Sequence, residues 1–223
     1  METVVIARRF RGPASSGNGG YTCGLLSRVV EGDAAEGDAA GRDAEVTLRV
    51  PPPLDTPLRV EGMCAYDGDV LVAEVRATTV ELELPAPPRE VEAGEPDPRH
   101  PFPECFVCGP ARTDGLGLRP RSYGALVAAP WRPDEVSREL VWAALDCPGA
   151  FAVDPGLTRG ASVLGRLAAH VERLPAPGDE LVVVGWDLGG AEGRRSYAGT
   201  ALFSGDEALA WARATWFALP SCA

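Results

Sequence analysis

Apolar positions along this chain fall into two blocks built to one plan. The first block opens with an apolar run, Val4 to Phe10, which predicts a strand. A glycine-rich turn follows, and the apolar stretch from Tyr21 to about Val30 predicts a helix. The segment EGDAAEGDAAGRD reads as a flexible surface loop, and alternating strands then run from Glu45 to about Leu84. The second block predicts a strand near Ala125–Trp131 and a helix from about Asp134 to Val153. Strands follow near Ser162–Leu174, Leu181–Trp186, Tyr197–Phe203 and Ala208–Ala218, one more than in the first block. The proline- and acid-rich stretch Pro85–Pro120 separates the blocks and reads as a linker crossing the surface.

The blocks also match in sequence. Gly62–Leu82, GMCAYDGDVLVAEVRATTVEL, aligns without a gap on Gly199–Leu219, GTALFSGDEALAWARATWFAL, with eight identities in 21 positions. Both read as a strand, a Gly-Asp turn and a long alternating strand. Upstream, RVPPPLDTPLRV (Arg49–Val60) is similar to RLPAPGDELVVV (Arg173–Val184). The chain is therefore read as an internal duplication: a first half at 1–84, a linker at 85–120 and a second half at 121–223.

Composition narrows the function. The net charge is −11 and all 21 basic residues are arginine, so no basic stripe marks a nucleic-acid surface. No run of apolar residues is long enough to cross a membrane, and METVVIARRFRG lacks the apolar core of a signal peptide. These features predict a cytoplasmic protein. The six cysteines are scattered, as free thiols in a reducing compartment would be.

Strand, central helix and antiparallel strands, given twice, resemble the hotdog fold. The closest likeness is to small acyl-CoA thioesterases of the phenylacetate-pathway type, here as a double hotdog. The resemblance implies an α+β protein of two tandem hotdog folds, each a long central helix wrapped by a curved antiparallel sheet. The two would pack as an intramolecular pseudo-dimer, and such units often pair again into a homodimer. It also implies an acyl-CoA or other acyl-thioester substrate and no required cofactor.

The thioesterases that the chain resembles start their central helix with His-Gly-Gly and carry an acid on it about two turns later. Their active site lies between subunits, where the glycine end of one helix meets the acid of the other. Asn18-Gly19-Gly20 stands at the first place, with Ser27 where the acid would fall. In the second half Asp146 takes the acid position, while Ser137–Glu139 replaces the glycines. Only one of the two symmetry-related sites can then be complete. A helix start offers unpaired N–H donors, and glycine leaves them bare to a thioester oxygen. The expected donor is the Gly20 or Tyr21 amide, with Asn18 holding the turn or giving a second bond. Asp146, on an apolar helix, would act as general base or as nucleophile.

Three other features are candidates. Cys105-x-x-Cys108 has zinc-binding spacing, with His100 as a third ligand, and Cys64, Cys147 or Cys23 completes the set only if the fold brings one of them near. Arg194 and Arg195 at a hairpin turn, or Arg112, Arg119 and Arg121 near the linker, could meet coenzyme A phosphates. His170 reads as structural. The alternatives to a hydrolase are a non-catalytic acyl-thioester binding or sensing protein and an enoyl-thioester hydratase; the latter pairs a helix-borne histidine with an acid, and neither central helix here has a histidine.

Overall fold

The structure, a computed structural model, describes residues 2–31, 43–156, 158 and 160–220. Most of the loop expected after Glu31, and Cys222, lie outside the described residues. In chain order the elements are β1 (Glu2–Val5), α1 (Gly19–Glu31), β2 (Ala44–Leu48), β3 (Pro57–Glu61), β4 (Cys64–Asp67) and β5 (Val70–Ala77). After the connecting segment come β6 (Arg121–Tyr123), β7 (Leu126–Trp131), α2 (Arg138–Ala144) and α3 (Cys147–Val153). The chain then finishes with β8 (Ser162–Val171), β9 (Leu181–Asp187), β10 (Arg195–Ser204) and β11 (Glu207–Ala218).

All strands join one antiparallel sheet in the order β1-β3-β4-β5-β2-β8-β11-β10-β9-β7-β6. Strands before residue 85 fill one side and strands after residue 120 the other, joined where β2 pairs β8 through Val46 opposite Leu167. The additional strand of the second side is β6, a three-residue edge piece. α1 packs on β2, β5 and β8, α3 packs on β7, β9 and β10, and α1 and α2 pack on each other between them. Apolar faces of sheet and helices thus close on one core, with Val46, Leu167, Leu202 and Trp142 fully buried.

The two similar hairpins fold alike in detail. Gly68 and Gly205 both turn at positive φ, 57° and 58°. In β4–β5 the register shifts between Ala65 and Tyr66; in β10–β11 it shifts between Leu202 and Phe203, at the aligned positions. A bulge bends a strand and increases its twist. The same device therefore curves both sides of the sheet.

Three expectations need correction. The opening strand ends at Val5, and Arg8–Phe10 is a turn of 3-10 helix. The second long helix is two short ones, because Pro148 has no N–H for the carbonyl of Ala144 and its ring crowds that carbonyl. The connecting segment does not stay on the surface. Leu84 and Val91 cover the outer sheet face at Ala201 and Phe203, and Cys105, Phe106, Val107, Cys108 and Leu118 are buried in the main core. Its proline content hid a short apolar insert that has more to gain from burial than from solvent.

Candidate active site

The helix break decides where Asp146 goes. Between α2 and α3 the backbone turns at Leu145–Asp146, and Asp146 adopts φ −81° and ψ −81°. The Leu145 carbonyl, left without a helical partner, accepts a bond from the buried Thr200 hydroxyl at 2.7 Å. The Asp146 side chain does not cap its own helix. It crosses to the start of α1, where Oδ2 accepts from the Gly20 N–H at 2.9 Å and from Asn18 Nδ2 at 2.8 Å. A carboxylate at a helix N-terminus is favoured by the dipole and by the unpaired amides there. Thr200→Val keeps the shape but leaves the buried Leu145 carbonyl without its donor. We expect a loss of about 1–3 kcal/mol in urea unfolding, with Thr200→Ser losing less because it keeps the hydroxyl.

Asn18 is the N-cap of α1: its Oδ1 accepts from the Tyr21 N–H at 2.9 Å. Ser137 caps α2 in the same way, accepting from the Leu140 N–H at 3.3 Å. The predicted donors therefore change. Both Gly20 and Tyr21 amides are engaged inside the protein, so neither is the open donor expected of it. Among the described residues, the Gly19 N–H has no acceptor. The Tyr21 ring is stacked on Phe10 at 3.8 Å between centroids.

Asp146 is 1% exposed, and its second oxygen, Oδ1, has no hydrogen-bond partner among the described residues. Burial pushes its carboxyl up to about 7, against the lowering effect of the Gly20 N–H; the nearby Cys105 adds to the rise and Asn18 opposes it. Asn18, Gly19 and Asp146 line a cavity of about 480 Å³. Leu48, Phe102, Phe151, Leu164 and Phe217 supply much of its apolar wall, and the indole N–H of Trp216, also lining it, has no partner among the described residues. Such a space, mostly apolar with a few polar groups at one place, suits an acyl chain with a polar head.

The glycines are required by packing as much as by any ligand. A Cβ on Gly20 would sit 2.5 Å from Asp146 Cβ and 2.6 Å from the Trp142 carbonyl. One on Gly24 would lie 2.7 Å from Trp142 Cβ, and one on Gly19 would lie 2.7 Å from Leu164 Cβ. At the opposite end, Ser27 returns its hydroxyl to the Gly24 carbonyl at 2.8 Å, and Arg28 pairs with buried Glu139. Ser27 and Glu139 are thus used internally.

The arginines expected to meet phosphates lie elsewhere. Arg194 and Arg195 are exposed and outside the cavity lining, and Arg195 covers the Phe217 ring at 5.7 Å. Arg112 bonds the Arg9 carbonyl and Asp114, and Arg121 pairs with Glu92. Among the described residues, the arginine in the lining is Arg49, which is paired with Glu74 and which the sequence pattern did not single out. His170 is structural, between Asp43 and Glu172 and stacked on Trp211.

The expected third partner of Cys105 and Cys108 also changes. His100 lines the cavity, but its Nδ1 accepts from the Phe102 N–H at 3.1 Å, and burial lowers its pKa. The residue that joins the pair is Cys147, and the three sulfurs lie within 4.8 Å of one another. Cys105 is held well below the ordinary thiol range by the Cys108 and Cys147 thiols and, less strongly, by the backbone N–H groups of Cys108 and Val107.

No protein-family model matches the chain, and no curated protein matches it. Solved structures do. A conserved protein from Alicyclobacillus acidocaldarius, described as having a hot dog fold, superposes at a TM-score of 0.63 with 14% identity, over 98% of this chain and 92% of that one. The fold is the hotdog fold. The hotdog likeness extends to the tesB protein of Mycobacterium avium subs paratuberculosis, at TM-score 0.59, 16% identity, 92% of this chain and 88% of that one. It also extends to an acyl-CoA thioesterase II, TesB2, from Mycobacterium marinum, at TM-score 0.58, 12% identity, 93% and 92%. No helix among the described residues is long and apolar enough to cross a membrane.

Proposed function

We propose that this chain is an acyl-CoA thioesterase-like hydrolase: two hotdog halves, derived by duplication, that share one composite site. The observation that carries the reading is the meeting of Asp146, from the second half, with Asn18 and Gly20, from the first, on the wall of an apolar cavity. Coverage of most of the chain by hotdog structures named as thioesterases supports it. The matched bulges and the meeting of β2 with β8 support the duplicated, pseudo-dimeric reading.

In this reading the acyl chain occupies the apolar part of the cavity and the thioester reaches the start of α1. The Gly19 N–H, left without an acceptor, receives the carbonyl oxygen as negative charge develops on it. Asn18 and the Gly20 N–H hold Asp146 by Oδ2, which leaves Oδ1 to draw a proton from water or to attack the carbonyl carbon. Water attack forms a tetrahedral oxyanion, which collapses to a carboxylic acid and expels the thiolate. Direct attack expels the thiolate and leaves a mixed anhydride on Asp146, which water then cleaves to the carboxylic acid and free Asp146. The central helices lack the histidine of a hydratase, and His100 has one ring nitrogen committed to Phe102. The reaction takes place between the halves, in an enclosure that no single half provides.

The deciding experiment is thiol release from a panel of acyl-CoAs of increasing chain length. We expect turnover that falls off where the chain outgrows the cavity. Absence of turnover across the panel overturns the hydrolase reading. Engagement of the Gly20 and Tyr21 amides inside the protein favours, as second reading, an acyl-thioester binding or sensing protein. Saturable binding without thiol release would select it.

A further inference from the structure

The connecting segment carries chemistry that thioester hydrolysis does not use. Cys105 and Cys108 come from this segment and Cys147 from the first position of α3, so three buried thiols from two distant parts of the chain converge. The Cys105 and Cys147 sulfurs are 3.8 Å apart. Thiolates bound to one tetrahedral zinc at about 2.3 Å have sulfurs separated by about 3.8 Å, from the tetrahedral angle. The loop between the first two cysteines is built around them. The Gly109 N–H bonds the Cys105 carbonyl at 2.9 Å, and a Cβ on Gly109 would lie 2.4 Å from the Cys105 nitrogen. A second feature points the same way: Asn18 Nδ2 stands 3.9 Å from the Cys105 sulfur and 4.0 Å from that of Cys147, where an N–H can serve a metal-bound thiolate. Burying thiols for packing alone calls for neither the convergence nor the donors.

The geometry points to a zinc site in which Cys105, Cys108 and Cys147 are the protein ligands and the fourth position faces the cavity. Three thiolates select a soft or borderline ion over magnesium or calcium, and zinc(II) forms the bonds without redox change. Each thiol gives up a proton as its sulfur binds, and no electron is transferred. The ion ties the connecting segment to the start of α3, one residue from the turn that aims Asp146. This inference does not rest on the hydrolase reading, and its test is independent of turnover.

The full chain is reduced, freed of metal and titrated with zinc, then separately with cobalt(II). We expect one zinc per chain by mass spectrometry. Cobalt should give intense sulfur-to-metal charge-transfer absorption together with the visible bands of a tetrahedral ion. Cys147→Ser is expected to lose stoichiometric zinc and to weaken the charge-transfer band, whereas His100→Ala and Cys64→Ser retain both. The wild-type cobalt spectrum decides even where a cysteine variant fails to fold. Failure of the reduced chain to bind either ion overturns the inference. So does a cobalt complex lacking the thiolate band, or zinc binding that survives Cys147→Ser and depends on His100.

Discussion

Asp146→Asn is expected to cut thiol release by about 10³-fold while leaving the protein folded. Asparagine has the same shape, and its carbonyl oxygen can accept from Gly20 and Asn18 as Oδ2 does. The variant lacks a group that can take a proton or attack a carbonyl. A positioned acid–base group contributes about 10²–10⁴-fold to a rate, and a nucleophile whose loss removes the pathway contributes more. We therefore expect turnover to fall by about 10³-fold, with a melting temperature close to that of the wild type. Folding survives because burial already holds the carboxyl near neutrality, at about 7, so little charge interaction is lost. Hydrolysis by the variant at the wild-type rate would remove Asp146 from the chemistry and leave it as a cap on α1.

The second large effect comes from a single methyl group. Helix propensity favours alanine over glycine by about 1 kcal/mol, so Gly20→Ala would stabilise an isolated α1. In this fold the methyl meets Asp146 Cβ at 2.5 Å and the Trp142 carbonyl at 2.6 Å, and the second of these is backbone. Overpacking of this kind costs about 1–3 kcal/mol, and this site lies at the severe end because the obstructing backbone cannot rotate away. We expect a net destabilisation that lowers the melting temperature by about 5–10 °C for a chain of this size. Thiol release should fall too, since α1 can relieve the clash only by moving away from the α2–α3 break and stretching the Gly20–Asp146 bond. Calorimetry with the same thiol assay checks both parts. A stabilised variant would show that the two helices do not approach as closely as they do here.

The contact between the start of α1 and Asp146 is legible in the sequence through the repeated pattern of the chain. Asn18-Gly19-Gly20 and Asp146 do meet, and that pairing is what the resemblance to hotdog thioesterases implies. The exact donors were not legible. Which amide stays open at a helix start depends on which acceptors arrive from elsewhere, and Asp146 and Asn18 arrive at Gly20 and Tyr21. The glycines carried a second meaning that a local reading misses. They permit α1 to touch α2 and β8, and that requirement resides in Trp142 and Leu164, far away in sequence. His100 was paired with Cys105 and Cys108 because it lies near them in the chain, whereas Cys147 reaches them only through packing. Arg194 and Arg195 had the right charge, but nothing local could tell an exposed hairpin turn from a cavity wall.

Alternating strands, the helical stretches and the repeated hairpin follow from the order of residues, because side-chain period and turn chemistry act over a few positions. The helix break that turns Asp146 across to α1, the burial of the connecting segment and the convergence of three cysteines belong to the tertiary structure. Each depends on which surfaces gain most by leaving water together, and that is settled between groups far apart in the chain.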